Sequence, residues 1–496
     1  MRYKIFHEST KGCEQCSIIL ICIADIISKV INIWGILMEQ INKDGTRREL
    51  TNFNVQMIAL GGAIGTGLFL GAGQTIHRTG PSILLVYLVV GLFFSVMMRA
   101  IGEMMYKDPS QHTFVAFIHQ YLGADFGKFA EWSYWMTLIL AGMAELIAIA
   151  TYIRLWIPNV PAWLIEILIL GILSIINLSI VRLFGKTESM LSIIKIIAII
   201  ALIFVGIWMI AVHHKNPVGT SAGLGNVTKD YTAFPHGFRE FLNAFPMVFF
   251  SFEGMEFIGI TTAETKNPRQ VLPLAVKQVV FRILIFYIGA LFVIMAITPW
   301  QQISQSSSPF VQVFQIAGMP AASQIINFVV IVAATSALNS AIFSSGRHLY
   351  QLAVESDSKF LSKLRHVSKS GIPSYAVLFS ACLMLFGPVL SAFKALSAAF
   401  SLVASICGDI YILVCILTMI AHYRYRQSSD FMEDGFKMPA YKILNPLTIA
   451  FFSFVFITMF FNKENVIPAV GALIWLIVFL TVVKFRKIKE SPDTIV

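Results

Sequence analysis

The sequence predicts an all-helical, polytopic membrane protein with twelve transmembrane helices. Hydrophobic residues make up 57% of the chain and charged residues only 13%, whereas about 25% of the residues of a soluble protein are charged. Mean hydropathy is +0.75. Apolar runs of about 20 residues, the length that crosses the hydrocarbon core of a bilayer, recur along the chain. Two of these runs are interrupted by glycines, and these interruptions indicate a candidate functional site.

The twelve predicted spans share low charge and a length near that of the bilayer core. They fall roughly at 54–76, 81–105, 126–156, 162–182, 189–212, 239–264, 273–298, 322–347, 373–392, 395–421, 442–462 and 465–485. The interrupted spans are the first and the sixth, which predicts a five-plus-five inverted repeat, because an odd number of crossings turns the second copy upside down. The first repeat, helices 1 to 5, is then 53–238 and the second, helices 6 to 10, is 239–421. Accessory helices 11 and 12 and a cytoplasmic C-terminus occupy 422–496.

Residues 1–52 are predicted to form a cytoplasmic N-terminal segment. Its apolar run at 17–37 contains Asp25 and Lys29, so it is compatible with a signal anchor, an amphipathic surface helix or an upstream extension that is not normally translated. A true span is the least favoured, because one additional crossing would reverse the charge bias of every later loop. We therefore expect residues 1–37 to be dispensable.

Basic residues cluster in alternate loops. They follow the second, fourth, sixth, eighth and tenth spans and flank both ends of the spanning region, whereas the loop at 299–321 contains neither lysine nor arginine. Positively charged loops stay on the cytoplasmic side, so both termini are predicted to be cytoplasmic in a multi-pass protein of the plasma membrane. The formal charge of +10 is scattered through these loops, and no basic face for nucleic acid is visible.

The cysteines and the short motifs argue against a metal site and against an enzyme. Cys13 and Cys16 form a single CxxC without a second pair, and Cys382, Cys407 and Cys415 lie in predicted spans. Spacings such as HExxH, paired catalytic acids and nucleophile elbows do not occur in a suitable setting. We expect no catalytic residue, no metal and no cofactor.

The first span is interrupted at Gly61-Gly62-Ala63-Ile64-Gly65-Thr66-Gly67. Each glycine inside a helix costs about 1 kcal/mol relative to alanine, so four glycines at mid-membrane depth predict a helix break. Freed amides must then face protein or a cavity, and a half-helix N-terminus at a cavity favours anions. The alternative from this stretch alone is a glycine-rich packing face. A second interruption, at Phe250 to Ile260 with two glycines and two carboxylates, favours the break, because paired interruptions are typical of a transport site.

Short motifs in register along the chain give a separate line of argument. They are Arg48-Glu49-Leu50, Gly61 to Phe69, Gly102 to Tyr106, Tyr121-Leu122-Gly123, Glu131 to Trp135, Ala144-Glu145, Gly254 to Glu256, Ala263 to Pro268, Ser336 to Ser340 and Gly346-Arg347. From Arg48 to about Lys487, the chain resembles the bacterial amino acid permeases of the amino acid/polyamine/organocation superfamily. The resemblance implies an inverted repeat with a central site and uptake of an amino acid driven by protons. The chain departs from the family pattern at Glu253, at Met255 and at Gly408-Asp409, which leaves the identity of the amino acid open.

A zwitterionic amino acid needs an anion-binding end and a cation-binding end, and the two breaks are expected to supply one each. Amides of Gly65, Thr66 and Gly67 would take the carboxylate, and carbonyl groups around Phe250 to Phe252 would take the ammonium. One of these phenylalanines is expected to close over the substrate, with core packing as the alternative. The predicted substrate-binding residues are Ile64, Gly65, Thr66, Gly67, Phe250, Ser251, Phe252, Glu256 and Asn339.

A carboxylate inside an apolar span is a candidate functional residue by default, because burying it costs free energy. Glu256, beside the second break, is expected either to gate the site and carry a proton or to bond amides freed by the break. Glu145 lies in an unbroken span and is expected to cap or pair structurally. Asp409, supported by Glu253, is the alternative source of a preference for a cationic substrate.

Lys195 is the principal predicted proton-coupling residue, with Glu256 as the second. It lies seven residues after Glu188, about 10 Å along the helix, and desolvation weakens the hold of a lysine on its proton. We expect the ammonium to bond carbonyls near Gly61 in span one and hydroxyls of Ser336 or Ser340 in span eight. The resemblance implies the same position for a lysine that holds or releases those spans. Snorkelling to the cytoplasmic surface is the alternative.

The resulting hypothesis is a secondary active transporter that imports an amino acid across the plasma membrane by proton symport with alternating access. An exchanger of amino acids or amines and a non-transporting amino acid sensor are the alternatives. A sensor is the less expected of the two, because neither terminus is long and polar enough for an output domain. The predicted partners are the amino acid, protons and the lipid bilayer, and the sequence makes no prediction of oligomeric state.

Overall fold

The structure is a computed structural model that describes residues 50–490 except 112, 180, 218, 230, 263–264, 305–307, 355, 357, 369–370 and 462–464. The prediction that residues 1–37 are dispensable concerns residues outside this described part. The same holds for nearly all of the predicted N-terminal segment 1–52 and for the motif residues Arg48, Glu49, Ala263 and Glu264.

Long apolar helices make up most of the described chain, because a segment in lipid must satisfy its backbone hydrogen bonds internally. The helices are α1 (Asn52–Ala63), α2 (Thr66–Phe69), α3 (Gly71–Thr79), α4 (Ile83–Lys107), α5 (Ala116–Leu122), α6 (Ala124–Ile153), α7 (Ala162–Ser179), α8 (Val181–Ala211), α9 (Gly225–Thr228), α10 (Phe238–Leu242), α11 (Phe245–Phe250), α12 (Phe257–Thr262), α13 (Pro268–Ile297), α14 (Pro309–Ile316), α15 (Pro320–Val354), α16 (Lys359–Lys363), α17 (Ser374–Met384), α18 (Phe386–Phe393), α19 (Leu396–Gln427), α20 (Tyr441–Met459) and α21 (Val466–Glu490).

Within the described residues, nine stretches are long and apolar enough to cross a membrane. This number supports the predicted class of all-helical, multi-pass membrane protein. Each of the twelve predicted apolar runs coincides with a helix or with an interrupted helix. The count of twelve crossings, the domain boundaries and the inverted repeat stay predictions.

The first predicted span is interrupted where the glycines indicate. Helix α1 begins after a Thr51 cap, whose side chain accepts a hydrogen bond from the Asn54 amide, and it ends at Ala63. Ile64 then has φ −81° and ψ 80°, and Gly65 has an extended backbone before α2 begins. Two residues between α1 and α2 therefore leave the helical conformation.

The sixth predicted span is interrupted between α11 and α12, where residues 251–256 form successive turns. Gly254 has φ +98°, a conformation that glycine adopts at little cost. A Cβ atom on Gly254 would lie 2.6 Å from the carbonyl carbon and oxygen of Gly62. The second break therefore contacts the chain beside the first break, and this contact requires a glycine at 254.

Long helices surround the two interrupted ones and fix their positions. Helix α6 packs against α15 and α19, and α13 packs against α4. Helix α8 packs against both α1 and α15. The Lys266 amide donates to Leu50 O at 2.9 Å, which joins the chain before α1 to the chain after α12. The two broken helices are thereby held side by side in the bundle.

Candidate functional site

A small central cavity lies where the two helix breaks meet. Its volume is about 30 Å³, and Gly65 and Gly67 at the first break line it together with Phe250 and Ser251 at the second. Ligand pockets commonly measure about 300–1,000 Å³, so this conformation leaves little free space between the breaks. Of the nine predicted substrate-binding residues, these four line the cavity.

Glu145 of α6 occupies the first break. Its Oε1 atom accepts a hydrogen bond from the Thr66 amide at 3.1 Å, and a Cβ atom on Gly65 would lie 2.5 Å from that oxygen. The freed amide of Thr66 was predicted to take a substrate carboxylate, and here it bonds a carboxylate of the protein. Glu145 therefore caps the half-helix, in line with its predicted structural role, and it also lines the cavity.

Lys195 of α8 is fully buried and donates to backbone carbonyls of two other helical segments. Its Nζ atom lies 2.6 Å from Gly61 O and 3.1 Å from Ile64 O in the first interrupted helix, and 3.4 Å from Ala333 O in α15. Snorkelling is excluded for this conformation. The predicted link to span one is present. The contact in span eight is the Ala333 carbonyl, one turn before Ser336 and two turns before Ser340, and not a serine hydroxyl.

Glu188 is a buried carboxylate on the same face of α8, two turns before Lys195. It is not among the predicted site residues. It accepts hydrogen bonds from the Ser336 hydroxyl and, at 3.1 Å, from the Asn339 amide in α15. A Cβ atom on Gly61 would lie 2.0 Å from Glu188 Oε1. The sequence signal that could have identified Glu188 is its spacing, because a carboxylate seven residues before an intramembrane lysine lies on the same helix face.

Asn339 was predicted to be secondary pocket lining and is placed elsewhere. Its Nδ2 atom donates to Glu188, and its Oδ1 atom accepts from Asn177 Nδ2 of α7 at 2.8 Å. Both hydrogen-bonding atoms of its amide are thus used in joining α15 to α7 and α8. Ile64 is likewise fully buried, and it contributes its carbonyl to Lys195.

Glu256 was predicted to line the pocket, but its carboxylate is enclosed by other side chains. Tyr134 of α6 donates to Oε1 at 3.0 Å, and Tyr411 of α19 donates to Oε2 at 2.7 Å. The Gly254 amide donates to Oε2 at 2.9 Å. The carboxylate therefore accepts a hydrogen bond from an amide of its own broken helix and joins that break to α6 and α19. This corresponds to the predicted structural role of bonding amides freed by a break.

The two predicted gate phenylalanines have different surroundings. Phe250 lines the cavity, whereas Phe252 points into an aromatic cluster with Tyr87, Phe94 and Tyr287, with ring centroids 5.9, 5.3 and 5.3 Å away. Phe252 is fully buried there. Phe252 is therefore a core-packing residue, which was the stated alternative. Phe250 lies where a residue that closes over the substrate is expected.

The two acidic residues that suggested a cationic substrate are separated. Glu253 lines the cavity and lies 3.2 Å from the Cys407 sulfur. Asp409 is fully buried in α19, and neither of its carboxylate oxygens has a hydrogen-bond partner among the described residues. It is not a lining residue of the central cavity.

A larger vestibule lies beside α3 and the start of α19. Two adjoining cavities of about 410 and 380 Å³ share Gln74, Ser397 and Ser401 as lining. Phe400 lines the vestibule, and its ring contacts Phe250 edge-on with centroids 6.4 Å apart. This aromatic pair therefore stands between the vestibule and the central cavity.

Comparison with known proteins agrees with this architecture. A sequence model described as amino acid permease matches residues 54–492. The DL-alanine permease SerP2 of Lactococcus lactis subsp. cremoris (strain MG1363) is 46% identical over 91% of this chain and 98% of its own length. The serine permease SerP1 of the same strain is 42% identical over 91% of this chain and 100% of its own.

A third relative is the D-serine/D-alanine/glycine transporter of Escherichia coli (strain K12). It is 37% identical over 84% of this chain and 89% of its own length. These relatives are permeases and transporters, and each match extends over most of both chains. The chain belongs to the amino acid permease family of the amino acid/polyamine/organocation superfamily.

Proposed function

We propose that this permease imports a small neutral amino acid, of the class of alanine, serine and glycine, across the plasma membrane together with protons. The observation that carries the proposal is the cavity of about 30 Å³ between the two helix breaks. A space of this size has to expand even for alanine, and large side chains would require the greatest expansion. The relatives described above, a DL-alanine permease, a serine permease and a D-serine/D-alanine/glycine transporter, support the same class.

The two breaks offer the complementary groups that a zwitterion requires. At the first break, the amide of Gly67 follows Thr66 in the first turn of α2, where an anion is favoured. At the second break, the carbonyl groups after Phe250 are acceptors for an ammonium. In the proposed substrate complex, the ammonium of the amino acid meets the second break and its carboxylate meets the amides of the first. Glu145 then has to leave the Thr66 amide that it bonds in this conformation.

Lys195 is proposed to couple transport to protons. A charged ammonium has three N–H donors, matching the carbonyls of Gly61, Ile64 and Ala333. A neutral amine has only two N–H bonds, so its lone pair would face a carbonyl oxygen. Loss of the proton therefore weakens the link from α8 to α1 and α15, and the first interrupted helix can move relative to α8.

Alternating access is proposed to involve the Phe250 and Phe400 pair. The predicted orientation places the vestibule on the external side, so these rings lie between an external approach and the central cavity. Displacement of the pair would admit the amino acid from the vestibule. Rearrangement at the Lys195 link, on the other side of the first break, would then open the route to the cytoplasm.

The test uses the full chain, purified and reconstituted into vesicles of phosphatidylethanolamine and phosphatidylglycerol. Uptake of radiolabelled L-alanine is measured with and without an inwardly directed proton gradient, in vesicles preloaded with buffer alone. We expect the gradient to drive accumulation, and we expect L-alanine amide and L-alanine methyl ester to compete poorly because they lack the carboxylate. Accumulation without any response to the gradient would refute symport.

The same vesicles separate the alternatives. An exchanger would take up label only when the vesicles contain unlabelled amino acid, and a sensor would bind L-alanine without moving it. A cationic substrate would be indicated if L-lysine competed better than L-alanine and the Asp409→Asn variant lost that preference. Asp409 lies outside the lining of the central cavity, which argues for the neutral class. Glu253 lines that cavity, so the competition with L-lysine decides between the two classes.

A further inference from the structure

We infer that Tyr287 of α13 is a positioning residue that joins the two helix breaks through one shared proton. Its hydroxyl oxygen lies 2.6 Å from Ala63 O and 2.8 Å from Ser251 O. Ala63 is the last residue of α1, and Ser251 is the first residue after α11. A single side chain from a third helix thus bonds the carbonyl at the edge of each break.

The location of these carbonyls connects Tyr287 to the central cavity. Ala63 and Ser251 both line that cavity, whereas Tyr287 is not among its lining residues. Tyr287 is fully buried and lies behind the wall that the two residues form. It therefore acts on the shape of the cavity through backbone atoms and does not contact a substrate itself.

The donor count makes this junction sensitive to movement. A tyrosine hydroxyl carries one proton, and a carbonyl oxygen can only accept. The two carbonyls must share that proton, so each hydrogen bond depends on both breaks remaining at their present separation. If the first break moves away, Ala63 O keeps only the Gly65 amide, which donates to it at 3.0 Å. If the second break moves away, Ser251 O loses the hydroxyl, and a buried acceptor without a donor is unfavourable.

Ring contacts fix where the hydroxyl can reach. The Tyr287 ring packs edge-on against Tyr87, with centroids 5.6 Å apart, and lies 5.3 Å from Phe252. Phe252 directly follows Ser251, so the ring and the hydroxyl of Tyr287 hold the same break. The position of the hydroxyl is consequently set by α13 and by this aromatic cluster.

This inference rests on the proposal that the substrate binds between the two breaks, and it assigns Tyr287 the role of holding the breaks at the separation that fits a small amino acid. Tyr287→Phe keeps the ring contacts and removes the shared proton. Tyr87→Phe is the matched control, because the Tyr87 hydroxyl contacts the Ser251 side chain at 3.2 Å and has no hydrogen bond to the first break among the described contacts.

The first measurement is hydrogen–deuterium exchange of the purified full chain without substrate. In Tyr287→Phe, we expect faster amide exchange in peptides covering 60–70 and 247–257. In Tyr87→Phe, we expect the peptide covering 60–70 to match the wild type. Equal exchange in wild type and Tyr287→Phe, or equal acceleration at 60–70 in both variants, would overturn the inference.

The second measurement is the concentration of L-alanine that gives half-maximal uptake. We expect it to rise about fivefold to tenfold in Tyr287→Phe, the loss of roughly one buried hydrogen bond, and less than about twofold in Tyr87→Phe. Uptake by intact cells, normalised to the protein in the membrane, gives the same value if Tyr287→Phe cannot be purified. An unchanged value would contradict the role of Tyr287. A wild type that takes up no L-alanine would refute the proposed function, whereas the exchange experiment would still decide the role of Tyr287.

Discussion

The Nζ atom of Lys195 lies 2.6 Å from the carbonyl oxygen of Gly61, the first of the four glycines that interrupt the opening helix. The same ammonium contacts Ile64 O, at the break itself. A buried charge is therefore bonded to both ends of the segment whose helical hydrogen bonds are disrupted. This contact makes the break and the proposed proton site parts of one unit.

Replacing Lys195 with alanine or methionine is expected to abolish accumulation of L-alanine driven by a pH gradient, while binding of L-alanine persists. The variants remove the coupling proton proposed for Lys195 but leave the lining of the cavity intact, because Lys195 is not a lining residue. Gradient-driven uptake and L-alanine binding are measured on the same vesicles. Lys277→Ala is the control, since Lys277 is exposed on α13, and it should accumulate substrate normally. Gradient-driven accumulation by Lys195→Met would indicate that Glu256 or Asp409 carries the coupling proton.

Adding one methyl group at Gly61 is expected to destabilise the protein. The new Cβ atom would lie 2.0 Å from Glu188 Oε1 and 2.5 Å from Ser192 Oγ, and overpacking of this kind costs about 1–3 kcal/mol. Gly171→Ala on α7 is the matched control, because a Cβ there meets open space, and alanine is favoured over glycine in a helix by about 1 kcal/mol. Thermal unfolding in detergent compares the two. Equal melting temperatures would show that Glu188 can withdraw at no cost.

Removing the Glu188 side chain is expected to lower stability by about 1–3 kcal/mol for each buried donor left without its acceptor. Those donors are the Ser336 hydroxyl and the Asn339 amide. Combining Glu188→Ala with Gly61→Ala should cost less than the sum of the single changes, because the first removes an atom with which the second collides. A double-mutant cycle on the unfolding free energy measures this coupling. If the unfolding free energies lost in the two single variants add up to the loss in the double variant, Gly61 and Glu188 do not interact.

Truncating Phe250 to alanine is expected to widen the range of accepted amino acids. The change enlarges the central cavity and removes the ring that contacts Phe400, so larger neutral amino acids such as L-leucine should compete for L-alanine uptake more effectively than in the wild type. Phe393→Ala serves as the control, since that ring is 86% exposed. Competition curves for a panel of neutral amino acids provide the measurement. If the same amino acids compete equally well in the variant and the wild type, other lining residues select the substrate by size.

The sequence by itself determined the class of fold and the place of the breaks. Composition sets the solvent in which the chain must fold, and glycines at Gly61 to Gly67 and at Gly254 oppose a continuous helix through their own backbone preferences. An intramembrane lysine is costly enough to be recognised without a structure. These are local properties, because each is decided by residues adjacent in the chain.

Only the tertiary structure decided which side chains meet at those breaks. Phe250 and Phe252 are two residues apart, and once the helix is broken no periodicity states which of them faces the cavity. Glu145 bonds an amide 79 residues away, and Glu256 bonds a tyrosine 122 residues away. Each buried carboxylate requires hydrogen-bond donors, but several amides and hydroxyls along the chain are equally suitable by type. The packing of α6, α8, α15 and α19 around the breaks selects among them, because it fixes which donors come within hydrogen-bonding distance.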